Sequence, residues 1–248
     1  MSESRHNVTI RPIGYARSCF KEKFGIPRQP GLVPHARARI KMLAPYNRPE
    51  AFRGIEDFSH LWISFLFHQH LGAAWRATVR PPRLGGNERV GVFATRSTYR
   101  PNPLGLSVVQ LDRIEIAGDA VTLHVSGVDL LDGTPVVDIK PYVPYADALP
   151  DAHGGFAPTP PDRTLSITFT EAAEQQIAAR EAAGLADLRA LITELLRLDP
   201  RPAYRGHETQ AADFGMRLYD FDLRWRIEGK EVTVTALVNS GTRGGSEK

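Results

Sequence analysis

The chain has 248 residues, 42% hydrophobic and 24% charged, which is ordinary globular usage and excludes bulk disorder, a fibre and a disulfide scaffold. A single cysteine, Cys19, rules out an internal disulfide and any zinc cluster built on cysteine pairs. A formal charge of +3 and a pI near 9.1 permit a polyanionic partner without requiring one.

The N-terminal MSESRHNVTI has no basic stretch followed by a long apolar run, so no signal peptide is expected. Residues 8–15 have β-rich character and predict a first strand. Residues 47–58 predict a helical turn. Residues 61–67 (LWISFLF) form a nearly continuous apolar run, the pattern of a strand buried on both faces. That run is far shorter than the roughly 20 apolar residues of a membrane span. With a lone thiol, this predicts a soluble cytoplasmic protein. Further strands are predicted over 89–95, 106–116, 120–128 and 135–139. Ala117-Gly118-Asp119 joins two of them as a hairpin. Close-spaced short strands without alternating helices predict a mainly β fold, a small non-Rossmann β-barrel or sandwich.

Residues 147–162 (DALPDAHGGFAPTPPD) carry six Pro and Gly breakers, and neither helix nor strand can run through them. The expected division is a barrel domain over 1–147, a connection over 148–163 and a smaller α+β domain over 164–248. In the last, Thr170 predicts a helix cap and Gly184 a stop. Leu185, Leu188, Leu191, Ile192, Leu195 and Leu196 predict the apolar face of a second helix. Tyr219, Phe221, Leu223, Trp225 and Ile227 alternate with charged residues as a strand. Glu228-Gly229-Lys230 then turns it into a terminal hairpin.

Four loops combine breakers with polar side chains. In 24–31 (FGIPRQPG), two prolines stiffen the backbone around Arg28 and Gln29; the segment reads equally as a stiff connector. At the end of the 61–67 run, His68 and His70 would share one face of a continuing strand, and His68 or Gln69 suits hydrogen bonding to a small polar ligand, with a structural histidine as the rival reading. With no further ligand cluster nearby in sequence, no metal is expected. In 79–102, Arg80, Arg83, Arg89, Arg96 and Arg100 surround Tyr99. Such planes stack on unpaired bases while their charges hold phosphates. In 128–135, Asp132-Gly133 is a turn signal, and Asp129, just past a strand, is the better candidate for ligand hydroxyls.

The blocks KEKFGIPRQPGLV, FSHLWISFLFHQ, VRPPRLGGNERVGVFATRSTYRPNPLGLS and DLLDGTPVVDIKPYVPYAD resemble the TrmO family, also called TsaA-like or VirR-like. LDPRPAYR and the WRI strand resemble the C-terminal domain of its longer bacterial members. The resemblance implies a tRNA (adenine-37) methyltransferase. It would bind S-adenosyl-L-methionine on a β-barrel, act as a homodimer, and methylate the exocyclic nitrogen of a threonylcarbamoyladenosine beside the anticodon. Carried over by motif, it implies cofactor contacts from Pro27, Arg28, Gln29, His68, Gln69, Arg96, Leu106, Asp129, Leu130, Leu131 and Asp132. Arg96, Asp129, His68 and Tyr99 are the catalytic candidates, with the proton acceptor open among the last three. Arg201, Tyr204 and Arg205 are expected to touch RNA, or else to form an inter-domain hinge. Deleting the C-terminal block is expected to weaken tRNA binding more than cofactor binding. The rival readings are a non-catalytic tRNA-binding protein that senses S-adenosylmethionine, and a metal-dependent hydrolase using His68 and His70.

Overall fold

The computed structural model describes residues 8–162, 165–201 and 210–240. In chain order the elements are β1 (Gly14–Ser18), β2 (Arg37–Met42), β3 (His60–Leu66), β4 (Thr78–Val79), β5 (Val90–Gly91), β6 (Leu104–Ala117), β7 (Ala120–Ser126), β8 (Pro135–Pro141), α1 (Pro144–Asp147), β9 (Ser166–Phe169), α2 (Glu171–Ala182), α3 (Leu188–Arg197), β10 (Ala212–Leu218), β11 (Phe221–Glu228) and β12 (Glu231–Asn239). Among the described residues, six strands close into a barrel in the order β1-β2-β7-β6-β3-β8, with β8 returning to β1. Every pairing in the barrel is antiparallel. The expected non-Rossmann barrel is the fold observed.

Alternation explains the barrel strands. Along β3, Leu61, Ile63 and Phe65 fill the interior. The outer face is only half-buried, where Trp62 leans on Tyr142 at 5.9 Å between ring centroids. The run is therefore buried on one face, not both. β2 was not predicted: its inward residues Ala38 and Ile40 alternate with Arg37, Arg39 and Lys41, and the small alanine weakens the apolar signal. β1 begins at Gly14, inside the predicted span, since Pro12 has no N–H for a ladder. Residues 89–95 hold only the two-residue β5 and a 3-10 turn over Val92–Ala94. The predicted hairpin forms, with Ala117 paired to Ala120 and Gly118 at φ 58°, as a two-residue turn requires. Two 3-10 turns fall within residues 47–58, Pro49–Phe52 and Ile55–Asp57.

The C-terminal part is a sheet of order β10-β11-β12-β9, with β9 parallel to β12. The Thr170 hydroxyl accepts a bond from Ala173 N at 3.3 Å and caps α2. Leu188, Leu191, Ile192, Leu195 and Leu196 are the buried face of α3. Phe221, Leu223, Trp225 and Ile227 are the buried face of β11. Tyr219 lies outside that strand, in the preceding turn at φ 48°. The four-residue β9, directly after the proline-rich stretch, and β10 are additions to the predicted strands.

The two parts share one core, and the chain between β1 and β2 is its seam. Phe20 bridges to Leu218, and Phe24 stacks parallel on Trp225 at 6.2 Å. Arg217 N donates to Glu22 Oε1 at 2.9 Å. Gly25 has φ +82°, and a Cβ there would meet Met216 Sδ at 2.5 Å. Glu194 of α3 bonds His35, and Asp187, just before α3, accepts from Arg37. The segment that carries Arg28 and Gln29 is thus clamped onto the C-terminal sheet.

Candidate active site

At one rim of the barrel three chain segments meet. Arg96 Nη1 donates to Gln29 Oε1 at 2.5 Å, across 67 residues of sequence. Ser107 Oγ, at the inward face of β6, donates to Asp129 Oδ1 at 2.5 Å. Burial pushes the Asp129 carboxyl up to about 6, against the opposing pull of the Ser107 bond and the nearby positive charge of Arg96. A half-buried carboxylate beside an arginine suits ligand binding and proton transfer near neutral pH.

The turn His68–His70 closes the same rim. Burial, and then the charge of Lys23, lower both imidazoles below the usual histidine range. Both shifts favour the neutral imidazole. They sit on a 3-10 turn and not on a continuing strand. His70 Nε2 pairs with Thr98 Oγ1 at 3.1 Å, and its ring meets Tyr99 edge-on at 4.9 Å. Among the described residues no group of three or more His, Cys, Asp and Glu side chains could hold a metal.

The remaining predicted residues divide. Pro27 is buried and Gln69 exposed. Arg28 is exposed; desolvation lowers its pKa, opposed by the charge of Asp199. Leu106 is on the outer face of β6, 52% exposed, away from Ser107. Leu130 is fully buried, and its carbonyl accepts from Ser18 Oγ at 2.6 Å. The Leu131 carbonyl accepts from Thr134. Asp132 braces the end of β1, bonding Ser18 N at 3.0 Å and Lys21 at 2.9 Å. In this structure its carboxylate serves the turn that starts the Arg28 segment. Two grooves of about 300 and 510 Å³ lie elsewhere and include none of these residues.

The comparisons with known proteins fall on this same framework. The family model of the tRNA-methyltransferase O N-terminal domain matches residues 15–148, more than half of the chain.

The chain belongs to the TrmO family.

The model of the TrmO C-terminal domain matches residues 162–240. An Escherichia coli (strain K12) relative, named tRNA (adenine(37)-N6)-methyltransferase, is 50% identical over 225 residues, covering 91% of this chain and 95% of its own. A Pseudomonas aeruginosa protein that bears the name "Putative S-adenosylmethionine-dependent methyltransferase RcsF" is 50% identical over 88% of this chain and 91% of its own. The crystal structure of a TrmO from P. aeruginosa superposes with a TM-score of 0.80 at 42% identity, covering 96% of this chain and 100% of that one.

Arg201, expected at the RNA, is only 5% exposed. It forms a two-point ion pair with Asp199, Nε to Oδ1 at 2.8 Å and Nη2 to Oδ2 at 2.7 Å. A buried, paired guanidinium braces the chain instead of presenting a surface charge. Tyr204 and Arg205 lie outside the described residues. Ser107 and Lys23 escaped the sequence reading. Ser107 sits in the apolar run LGLSVV, and its inward direction is visible only once β6 is paired. Lys23 lies one residue before the proline-stiffened loop 24–31 and carries no turn or motif signal of its own.

Proposed function

We propose that this protein is a tRNA methyltransferase that transfers a methyl group from S-adenosylmethionine to the exocyclic nitrogen of adenosine 37. The substrate adenosine carries a threonylcarbamoyl group, the enzyme is a cytoplasmic homodimer, and the proton acceptor is Asp129. The observation that carries the reading is the Gln29–Arg96–Asp129–Ser107 cluster. It stands on a barrel whose relatives at 50% identity are named for this reaction.

The side chains fit the cofactor's chemistry. A zwitterion with a ribose diol needs a cation, an anion and an amide in one patch. The rim supplies Arg96, Asp129 and Gln29, with Asp129 held by the Ser107 hydroxyl and Gln29 by Arg96. When bound, S-adenosylmethionine supplies an activated methyl on a sulfonium sulfur. The protein's task is then alignment and removal of one proton from the attacking nitrogen. Fixing the partners in place is worth about 7–11 kcal/mol. Asp129, ionised above about 6, is matched to neutral pH as acceptor. Tyr99 is held edge-on to His70 and under the Arg76 guanidinium at 4.1 Å, which suits it to a positioning role. The outer face of β6 beside the rim exposes Leu104 and Leu106. A second copy seated on this face would remove both leucines from water, which favours the dimer.

The test is single-turnover transfer of labelled methyl to tRNA with and without the threonylcarbamoyl group. Wild type is expected to label only the modified tRNA, at position 37, while Arg96→Ala loses about 100-fold or more in rate. Undiminished labelling by Arg96→Ala would remove Arg96 from the site. Sedimentation showing a monomer would remove the dimer.

A further inference from the structure

Between Asp57 and Asp112 the chain carries six arginines (Arg76, Arg80, Arg83, Arg89, Arg96 and Arg100) and one acid, Glu88. The structure sorts them. Arg83 donates to the Thr159 carbonyl, Arg89 to Thr78 Oγ1, and Arg100 to the carbonyls of Val92 and Thr95. Arg76 covers Tyr99, whose ring also meets His70. Tyr99, the ring that the sequence offers for stacking, is therefore already engaged, and three of the arginines are bonded to oxygens of the chain. Two other rings stay open to solvent. Phe93 is 73% exposed and Trp75 52% exposed. Arg100 approaches the Phe93 ring to 5.6 Å, while Trp75 has no ring or cation neighbour among the described residues. The β4–β5 ladder places Thr78 opposite Gly91, and Val92 N bonds the Ala77 carbonyl. Phe93, in the 3-10 turn that follows β5, and Trp75, two residues before Ala77, thus leave the same end of this short ladder.

We infer that Trp75 and Phe93 form a stacking platform for unpaired bases of the tRNA anticodon loop, flanking the base that is methylated. This rests on the functional reading above. Exposed rings framed by arginines match single-stranded RNA, in which every base offers a π-face and every phosphate a charge. Arg96 and Tyr99, on the same loop, connect the platform to the rim. A second copy of this chain is the poorer occupant. A two-fold interface brings a patch against itself, and here it would set arginines against arginines. Arg100, bonded to two loop carbonyls, and Arg76, laid over Tyr99, hold the loop in shape, so that the two rings need little ordering when RNA arrives.

The test uses the full chain and threonylcarbamoyl-modified tRNA. Trp75→Ala and Phe93→Ala are each expected to weaken tRNA binding roughly 5- to 150-fold. Trp75→Phe and Phe93→Tyr should restore most of it. S-adenosylmethionine affinity by calorimetry and sedimentation mass should stay at wild-type values. Normal tRNA affinity in both alanine variants overturns the platform while leaving the methyltransferase intact. A fall in sedimentation mass also overturns it, because the rings then lie between copies of the chain. A wild type that neither binds nor methylates tRNA overturns the functional reading and this one together.

Discussion

Asp129 shows how one residue's surroundings set its chemistry. Its folded-state carboxyl lies at about 6 against an ordinary 3.8. A raised carboxyl favours folding below the unfolded value and loses that contribution as pH rises through about 6. Asp129→Asn should therefore melt higher than wild type at pH 8, by about 1–2 kcal/mol, with the advantage gone below pH 4. The same variant should fail to turn over. In wild type the single-turnover rate should climb with pH around an inflection near 6. The Ser107 bond stabilises the ionised form, so Ser107→Ala should move that inflection upward by about one pH unit. An unmoved inflection would assign it to another group. Asp129 was legible in the sequence because it follows a strand and is not needed by the Asp132-Gly133 turn. Its raised pKa was not, because burial is a property of the folded rim.

Among the elements, β6 carries the tightest constraint. A Cβ at Gly105 would lie 2.2 Å from the Phe65 ring across the β3–β6 ladder. Phe65 also packs edge-on with Phe67 at 5.1 Å, which leaves it little room to retreat. Gly105→Ala should destabilise the protein by about 1–3 kcal/mol in urea unfolding, through overpacking. Full stability in that variant would show that the ring moves aside freely. Because Gly105 lies two residues before Ser107, methyl transfer should fall even where the variant stays folded. The periodicity of α3 and β11 is legible because one face of each is buried and the other wet, whereas α2 shows through its Thr170 cap and Gly184 stop. β2 is not legible, since alanine reports burial weakly. The arginines of the 79–102 loop suggest an RNA surface in sequence, yet Arg83, Arg89 and Arg100 are bonded to the chain, and the exposed rings are Phe93 in that loop and Trp75 just before it.

At the scale of the whole molecule, the C-terminal part is a support for the site as much as an extra domain. Phe20, Phe24, Glu22 and Gly25 all rest on β10 and β11. Just beyond them lie Arg28 and Gln29, with Asp199 near Arg28. This changes the expectation for truncation. Ending the chain near residue 162 should cost cofactor affinity together with tRNA affinity, because the Gln29 segment loses its floor. Isothermal titration of the truncated and full chains checks it, and intact cofactor binding by the truncated chain would show that the floor is dispensable. Taken alone, the sequence determined the mainly β class, the breaker-rich connection, the helix cap at Thr170 and the loops worth suspecting. These follow from local propensity and periodicity, which neighbouring residues carry. Only the tertiary structure decided that Gln29, Arg96 and Asp129 share one rim, that Asp132 and Arg201 turn inward as braces, and which rings stay open to solvent. Those facts depend on contacts between residues far apart in the chain, where strand register and burial decide the neighbours.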